Sequence, residues 1–251
     1  MTAPVKKQQD EIKIIANGGL GDCLLLTPFV RYFKEIAEYK RVVVITNTVA
    51  KALFETNPFV DLVIPCSDND LFLWGLPETG CDIFAPYVEI AFASDAGLSV
   101  PKIKTEPKLR ANLLDIPVVR QIAEAHQLTL ENERPELFLT DEEINWAQAC
   151  LEKFQTKPIL LINPATQLSE KRYPLEKWQL AVNQLCETYH LLEISSEFSQ
   201  LKNVTHLTPL PGIRQSAAIF KLVDCVITLD SFQSHLAHWI YVIFSRTKNL
   251  N

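Results

Sequence analysis

The sequence has no long apolar run and no excess of positive charge. No stretch of 18 or more apolar residues occurs among the 251 residues, which disfavours a transmembrane helix. The segment from Met1 to Glu11 lacks the apolar stretch and cleavage site of a secretory signal, so we expect a cytoplasmic protein. The formal net charge is −6, which disfavours general nucleic-acid binding because phosphate contacts need a basic surface.

Cysteine pairs with metal-ligand spacing are also missing. The chain has 6 cysteines and no Cys-x-x-Cys motif, and several of them fall on apolar faces of predicted helices or strands. We therefore interpret them as reduced core residues rather than as disulfides or metal ligands. The cysteines are Cys23, Cys66, Cys81, Cys150, Cys186 and Cys225.

What the chain does contain is two series of alternating strands and helices. Apolar, β-branched runs such as Ile12 to Ala16 and Arg41 to Thr46 predict buried parallel strands, each followed by a helical pattern. A second series begins after an extended linker, Glu131 to Phe138. We predict an α/β protein of two Rossmann-like parallel-sheet domains, residues 1–139 and 140–251, that face a central cleft.

Glycine is scarce, and its distribution is uneven. Three of the 7 glycines, Gly18, Gly19 and Gly21, fall in one short turn between the first predicted strand and the helix that follows it. Glycine permits positive φ and a close approach to the backbone, so this turn is a candidate site, although a turn that merely needs glycine is the alternative. Asp22 ends the turn, where it could cap the helix or accept a proton from an incoming hydroxyl group.

The glycine turn does not match the known nucleotide-binding loops. No Lys-Ser/Thr pair follows it, and its spacing is not Gly-x-Gly-x-x-Gly. Thr46 and Asn47 occupy the end of the second strand, where an NAD enzyme needs an acidic residue. An NAD- or S-adenosylmethionine-dependent enzyme is therefore the weaker interpretation.

Two stretches in the second domain have the composition of anion sites. Asn163 to Thr166 leads from a strand to Lys171 and Arg172, two cations just before an amphipathic helix, although a solvated basic loop would look the same. Asp230 and Ser231 open a later helix that carries His235, and by themselves they are only a helix cap. His235 and His238 could suggest a metal pair, but no third ligand is near in sequence, so we expect no metal.

These three stretches, in this order, resemble glycosyltransferase family 9, the lipopolysaccharide heptosyltransferases, which have the GT-B fold. The likeness covers about Ile12 to Ala237 and includes a weaker match at Asn57 to Asp61. It implies an inverting transfer of a sugar, usually heptose from ADP-heptose, to a lipopolysaccharide-core or related glycan acceptor, without a cofactor. It also implies a cytoplasmic enzyme of lipopolysaccharide biosynthesis, compatible with peripheral contact with the inner face of the cytoplasmic membrane. The matching stretches are Gly18 to Pro28, Ile162 to Pro174 and Asp230 to Ala237.

The resemblance assigns a role to each candidate residue. Asp22 would be the general base on the acceptor hydroxyl, and Lys171 would stabilise the departing diphosphate. Glu197 would contact the ribose of the donor, and the basic residues Lys102 and Lys104 could contact an acidic sugar or phosphate of the acceptor, with a solvated loop as the alternative. The remaining donor-site or phosphate-site residues would be Thr166, Arg172, Asp230, Ser231 and His235.

The sequence also departs from this family in two respects. Phe232 stands where the family has glycine after Asp-Ser, and the chain ends at Asn251, where family members continue with another strand and a terminal helix. We therefore expect the second domain to be incomplete. A non-catalytic nucleotide-sugar-binding protein, or an inactive truncated remnant of such an enzyme, is the alternative function.

Overall fold

The chain divides into two compact units, Met1–Phe138 and Leu139–Asn251. A computed structural model describes most of both units, and the side chains of residues 238–240 lie outside its description. Three of the residues discussed above, Lys102, Lys104 and Glu197, lie outside the described residues. The described residues are 9–67, 80–86, 117–154, 156–166, 171–195, 199–207 and 212–240.

The first unit is built on a parallel sheet with the strand order β3-β2-β1-β4. Its inner strands are apolar over most of their length because parallel strands are covered on both faces, and Ile14, Ile15 and Val44 are fully buried. The strands are β1 (Glu11–Ala16), β2 (Arg41–Asn47), β3 (Leu62–Cys66) and β4 (Asp82–Phe84).

Short helices follow the strands of the first unit. The sequence predicts a helix from Asn112 to His126, of which residues 112–116 lie outside the described residues, and the helix that the structure describes begins at Val118. Pro117 precedes it as the N-cap with ψ of 142°, an extended conformation that a helix interior does not allow. The helices are α1 (Leu20–Leu24), α2 (Thr27–Arg31), which continues as a π-helical turn (Tyr32–Ile36), a 3-10 turn (Ala50–Leu53) and α3 (Val118–Ala125).

Aromatic side chains fill the core on one face of this sheet. The ring of Phe84 lies 5.1 Å from that of Phe29 and 5.0 Å from that of Phe33, both on the α2 segment. The buried ring of His126 packs against Phe84 at 4.9 Å. The α2 segment and the end of α3 therefore share one aromatic core with β4.

The extended segment that ends the first unit is held by side chains of α2. The hydroxyl of buried Thr27 accepts a hydrogen bond from the Glu136 backbone N–H at 2.7 Å. Arg31 forms an ion pair with Glu136 and donates to the Asn132 carbonyl at 3.1 Å. Further along, the rings of Phe59 and Phe138 are 5.8 Å apart. The segment from Asn132 to Phe138 is thus packed onto the first unit.

The second unit repeats the arrangement with the strand order β7-β6-β5-β8, again parallel. Every residue of its central strand β5 is buried, as the run Ile-Leu-Leu-Ile-Asn predicts. The strands are β5 (Ile159–Asn163), β6 (His190–Glu193), β7 (Thr205–His206) and β8 (Cys225–Thr228).

The helices of the second unit are fixed by caps and by apolar faces. Thr140 and Glu143 form a reciprocal capping box at the start of the helix Asp141–Leu151, and Glu143 also accepts a hydrogen bond from Arg214 at 2.8 Å. Trp178 and Val182 of the helix Leu175–Leu185 pack on Leu160 and Leu191 of the sheet. The helices are α4 (Asp141–Leu151), followed by a 3-10 turn (Glu152–Phe154), α5 (Leu175–Leu185), α6 (Ile213–Leu222) and α7 (Phe232–Ile240).

Two four-stranded parallel sheets with flanking helices confirm the predicted α/β class. All six cysteines are free, and Cys23 and Cys81 are buried as expected for core residues. The same expectation is wrong for Cys225, which is exposed at the first position of β8, and the other three cysteines are only partly buried. In the part of the chain that the structure describes, no helix is long and apolar enough to cross a membrane.

Candidate functional site

Each sheet has one point where the strand order reverses. In the first unit the chain runs from β1 outward to β2 and β3 and then returns to place β4 on the other side of β1. In the second unit β5 and β8 flank the corresponding point. Ligands of open parallel sheets bind outside the carboxyl ends of the strands at such points. The residues that follow β1, β5 and β8 therefore form the candidate site of each sheet.

The glycine turn follows β1 directly, and its geometry requires glycine at its first position. Gly18 has φ of +100°, which residues with a side chain rarely adopt. A Cβ at Gly18 would lie 2.9 Å from Oδ2 of Asp22, closer than a Cβ carbon approaches a neighbouring atom in real structures. The same oxygen accepts a hydrogen bond from the Gly19 N–H at 2.9 Å. The turn therefore folds back against the carboxylate of Asp22.

Asp22 is both a cap and an exposed carboxylate. Its carboxylate accepts a hydrogen bond from the Gly19 N–H and stabilises the start of α1, which is the capping role predicted from the sequence. Its side chain is nevertheless exposed, at the carboxyl end of the sheet. Capping thus fixes the position of one carboxylate oxygen without removing the group from solvent, and a role as a base stays a prediction.

The residues at the end of β2 form hydrogen bonds with the segment around the glycine turn, whereas an NAD enzyme has a ribose-binding residue there. Thr46 is buried and donates its hydroxyl hydrogen to the Ala16 carbonyl at 2.8 Å. The Asn47 side chain donates to the Gly18 carbonyl at 3.3 Å and accepts from the Ala50 N–H at 2.8 Å. Sequence analysis identified Asn47 only as a residue that does not fit an NAD site. The hydrogen bond from Asn47 to the glycine turn could not be predicted from the residue type alone.

The second unit brings two predicted residues into contact at its reversal point. Nζ of Lys171 lies 2.7 Å from Oδ2 of Asp230, where the chain has just left β8. The side chain of Lys171 is 36% exposed and that of Asp230 is 69% exposed, so solvent or a ligand can reach both. An exposed pair of this kind contributes little to stability, which leaves the ammonium available to an anion with a stronger charge.

Asn163 and Thr166 lead from the end of β5 toward this pair. Asn163 is buried, and its side-chain oxygen accepts from the Ala165 N–H at 3.4 Å, which fixes the chain as it leaves the strand. Thr166 is half-buried and is the last described residue before Lys171. Arg172 is exposed. Asn163 is therefore structural, and the roles predicted for Thr166 and Arg172 stay predictions.

Ser231 makes local contacts at the start of α7. Its hydroxyl lies within hydrogen-bond distance of the Leu229 carbonyl, at 3.1 Å, and of Oε1 of Gln233, at 2.9 Å. Its N–H donates to the hydroxyl of Ser234 at 3.2 Å, a cap that the sequence did not single out. His235 is half-buried one turn further on. A phosphate would have to exchange with these local contacts in order to bind Ser231.

Glu193 is a polar residue of this edge that sequence reasoning missed. It is the last residue of β6 and has 0% exposure, yet its carboxylate contacts Ser199 and His206. The sequence shows only a glutamate directly after the apolar pair Leu191 and Leu192, which does not indicate that it is enclosed. Among the described side chains, no three His, Cys, Asp or Glu residues are grouped to hold a metal ion.

Comparison with known proteins gives matches at the level of structure. No protein-family profile matches the chain, and no curated protein matches it in sequence. Among solved structures, E. coli ADP-heptose lipopolysaccharide heptosyltransferase II matches with a TM-score of 0.63 and 15% identity, over 92% of this chain and 82% of that one. A family 9 glycosyltransferase from Veillonella parvula matches with a TM-score of 0.68 and 15% identity, over 94% and 79%.

A third matching structure contains an ADP-sugar. E. coli heptosyltransferase WaaC with ADP-2-deoxy-2-fluoro heptose matches with a TM-score of 0.58 and 13% identity, over 92% of this chain and 86% of that one. These matches extend over both units, so they concern the whole order of strands and helices rather than a single Rossmann-like sheet. This protein therefore has the fold of the family 9 glycosyltransferases and the lipopolysaccharide heptosyltransferases.

Proposed function

We propose that this protein is an inverting glycosyltransferase that moves a heptose from a nucleoside-diphosphate donor, ADP-heptose, to a lipopolysaccharide-core or related glycan acceptor. The observation that carries the proposal is the pair of Lys171 and Asp230 at the reversal point between β5 and β8, in a chain with the heptosyltransferase fold. A structural neighbour with this fold holds an ADP-sugar analogue.

The donor half of the reaction belongs to the second unit. A diphosphate leaving group gains negative charge as the bond from the sugar to the phosphate breaks, and a positioned cation stabilises that charge. Lys171 supplies this cation after exchanging Asp230 for phosphate oxygens, and Asp230 then becomes available to a hydroxyl group of the sugar. We assign Thr166, Arg172, Ser231 and His235 to the same donor, and no metal or cofactor is required.

The acceptor half belongs to the first unit. The hydroxyl group that attacks the sugar must lose a proton, and a carboxylate within hydrogen-bond reach can take it. Asp22 has the features of such a base because its side chain is exposed while one oxygen is held by the Gly19 N–H at 2.9 Å. Lys102 and Lys104 remain candidates for contact with an acidic group of the acceptor.

The proposed step is a single displacement. The acceptor oxygen forms a bond to the anomeric carbon as its proton passes to the carboxylate of Asp22, and the bond from that carbon to the diphosphate oxygen breaks. The products are the glycosylated acceptor and a nucleoside diphosphate. Attack from the face opposite the leaving group inverts the anomeric configuration.

A donor screen tests the proposal directly. The purified chain is titrated with ADP, UDP and GDP by calorimetry, and nucleoside diphosphate release is then followed with ADP-heptose and a core-oligosaccharide acceptor. We expect binding of ADP and release that depends on the acceptor. Binding without release would instead support a nucleotide-sugar-binding protein. Absence of binding to all three nucleotides would overturn the proposal.

A further inference from the structure

The carboxylate of Glu193 is enclosed in the middle of the second sheet. The residue has 0% exposure and ends β6, which lies between β5 and β7. Ser199, six positions further along the chain, donates to it twice, from its hydroxyl at 2.6 Å and from its N–H at 3.2 Å. Nδ1 of His206 lies 3.0 Å away and completes an ion pair when the imidazole is protonated.

The stability of the sheet does not explain why position 193 carries a charged residue. Removing a carboxylate from water is costly, and an apolar residue of similar volume satisfies a buried strand at least as well. The position before it is Leu192, which is also fully buried. What the carboxylate provides and leucine does not is a pair of bonds that hold Ser199 against the carboxyl end of β6.

The location of this contact points to a nucleotide. β6 is the second strand of its unit and the neighbour of β5, where the proposed diphosphate site begins. In dinucleotide-binding sheets an acidic residue at the end of the second strand binds the ribose. Here the acidic residue is at that end, but its oxygens contact Ser199 and His206 inside the protein. Glu193 therefore cannot bind a ribose directly in this arrangement.

We propose that Glu193 is a positioning residue of the donor site. It holds Ser199 at the carboxyl end of β6, where we expect the nucleoside half of the donor to lie. The inference rests on the proposed function. It predicts that the Glu193 to Ser199 contact controls donor affinity and leaves the acceptor half of the reaction unchanged.

Three variants test this role, and a fourth is the matched control. Ser199→Ala removes only the hydroxyl contact, and Glu193→Ala removes the carboxylate. Glu193→Gln replaces the carboxylate by an amide whose oxygen can still accept a hydrogen bond from Ser199, and it is the conservative rescue. The control is Asp224→Ala, because Asp224 also holds a backbone N–H, that of Ile159 at 2.7 Å, but at the amino end of the same sheet.

ADP affinity by calorimetry, acceptor KM and melting temperature are measured for each variant. We expect Ser199→Ala and Glu193→Ala to weaken ADP binding by about tenfold or more, a factor that corresponds to the loss of a hydrogen bond. Glu193→Gln should stay within about threefold of the wild-type affinity. The acceptor KM should not change, and Asp224→Ala should lower the melting temperature without changing ADP affinity.

Other outcomes separate this inference from the proposed function. If the wild-type chain binds ADP and Ser199→Ala binds it equally well, Glu193 has only a structural role and the inference is overturned. The same conclusion follows if Asp224→Ala weakens ADP binding as much as Ser199→Ala does. If the wild-type chain binds no nucleoside diphosphate, the proposed function itself is wrong.

Discussion

The ammonium of Lys171 and the carboxylate of Asp230 are 2.7 Å apart at the point where the second sheet reverses its strand order. One follows β5 and the other follows β8, and the direct pairing of these two strands brings them together. Both side chains remain partly exposed. The pair can therefore separate at little cost to the fold when a more strongly charged anion arrives.

Replacing Lys171 by methionine should weaken nucleoside diphosphate binding and leave the fold intact. A charged hydrogen bond contributes about 1.5–3 kcal/mol, so calorimetry should show a loss in ADP affinity of about 10-fold to 100-fold. The free energy of unfolding should change by less than about 1 kcal/mol because the pair is exposed. Lys177→Met is the matched control, since the Lys177 ammonium lies over the Tyr173 ring at 5.5 Å instead. Equal losses in the two variants would contradict the assignment of Lys171.

Asp22→Asn should abolish most of the turnover while ADP affinity stays unchanged. The amide oxygen of asparagine can still accept the Gly19 N–H, so the turn should keep its shape, but the amide cannot accept a proton. Loss of a general base typically lowers kcat by about 10²-fold to 10⁴-fold, which nucleotide-release kinetics would measure. Full turnover in this variant would exclude Asp22 as the base.

Gly18→Ala should be more destabilising than Gly80→Ala, although both positions have positive φ, of +100° and +93°. Backbone strain at such positions costs about 1–3 kcal/mol, and both variants should show it in chemical denaturation. Only at Gly18 does the added methyl group also meet a side chain, the carboxylate of Asp22 at 2.9 Å. When Asp22 is also replaced by alanine, the difference in unfolding free energy between the Gly18 and Gly80 variants should become smaller. An unchanged difference would show that the contact with Asp22 does not cause it.

The stability of the first unit should fall on acidification because of His126. Burial lowers the pKa of His126 below its usual value, since the charged imidazolium is poorly solvated beside Phe84. The unfolded chain, with a pKa of about 6.5, then binds the proton first, so stability is full above about pH 6.5 and is lost as the pH falls. His126→Phe should reduce the difference in unfolding free energy between pH 7.5 and 5.5. Protonation of His126 in the folded chain near pH 6.5, observed by NMR, would refute this.

The strands and the glycine turn were predictable because local patterns determine them. The buried runs that became β1 and β2 are β-branched and apolar, and glycine at position 18 marks a turn that other residues rarely form. The meeting of Lys171 and Asp230 was not predictable from spacing alone, since it depends on β8 pairing with β5 and not with β7. Their common assignment to the donor came from the resemblance to family 9.

Other features were missed because they depend on tertiary context. Glutamate is rarely fully buried, so nothing in the composition of β6 indicated that Glu193 would be enclosed by Ser199 and His206. Cys225 sits in an apolar strand, but it is exposed at the first position of β8. Pro117 shows the opposite case, since its effect on the start of α3 is local and could have been used to place that boundary.

The contacts of Glu136 and of Glu143, on either side of the boundary at residue 138, each close within one unit. Arg31 and Thr27 hold Glu136 from the first unit, and Glu143 is bound by Arg214 of the second. A polypeptide divided between Phe138 and Leu139 would sever none of these bonds. A cut at this peptide bond would leave the contacts of Glu136 in one fragment and those of Glu143 in the other.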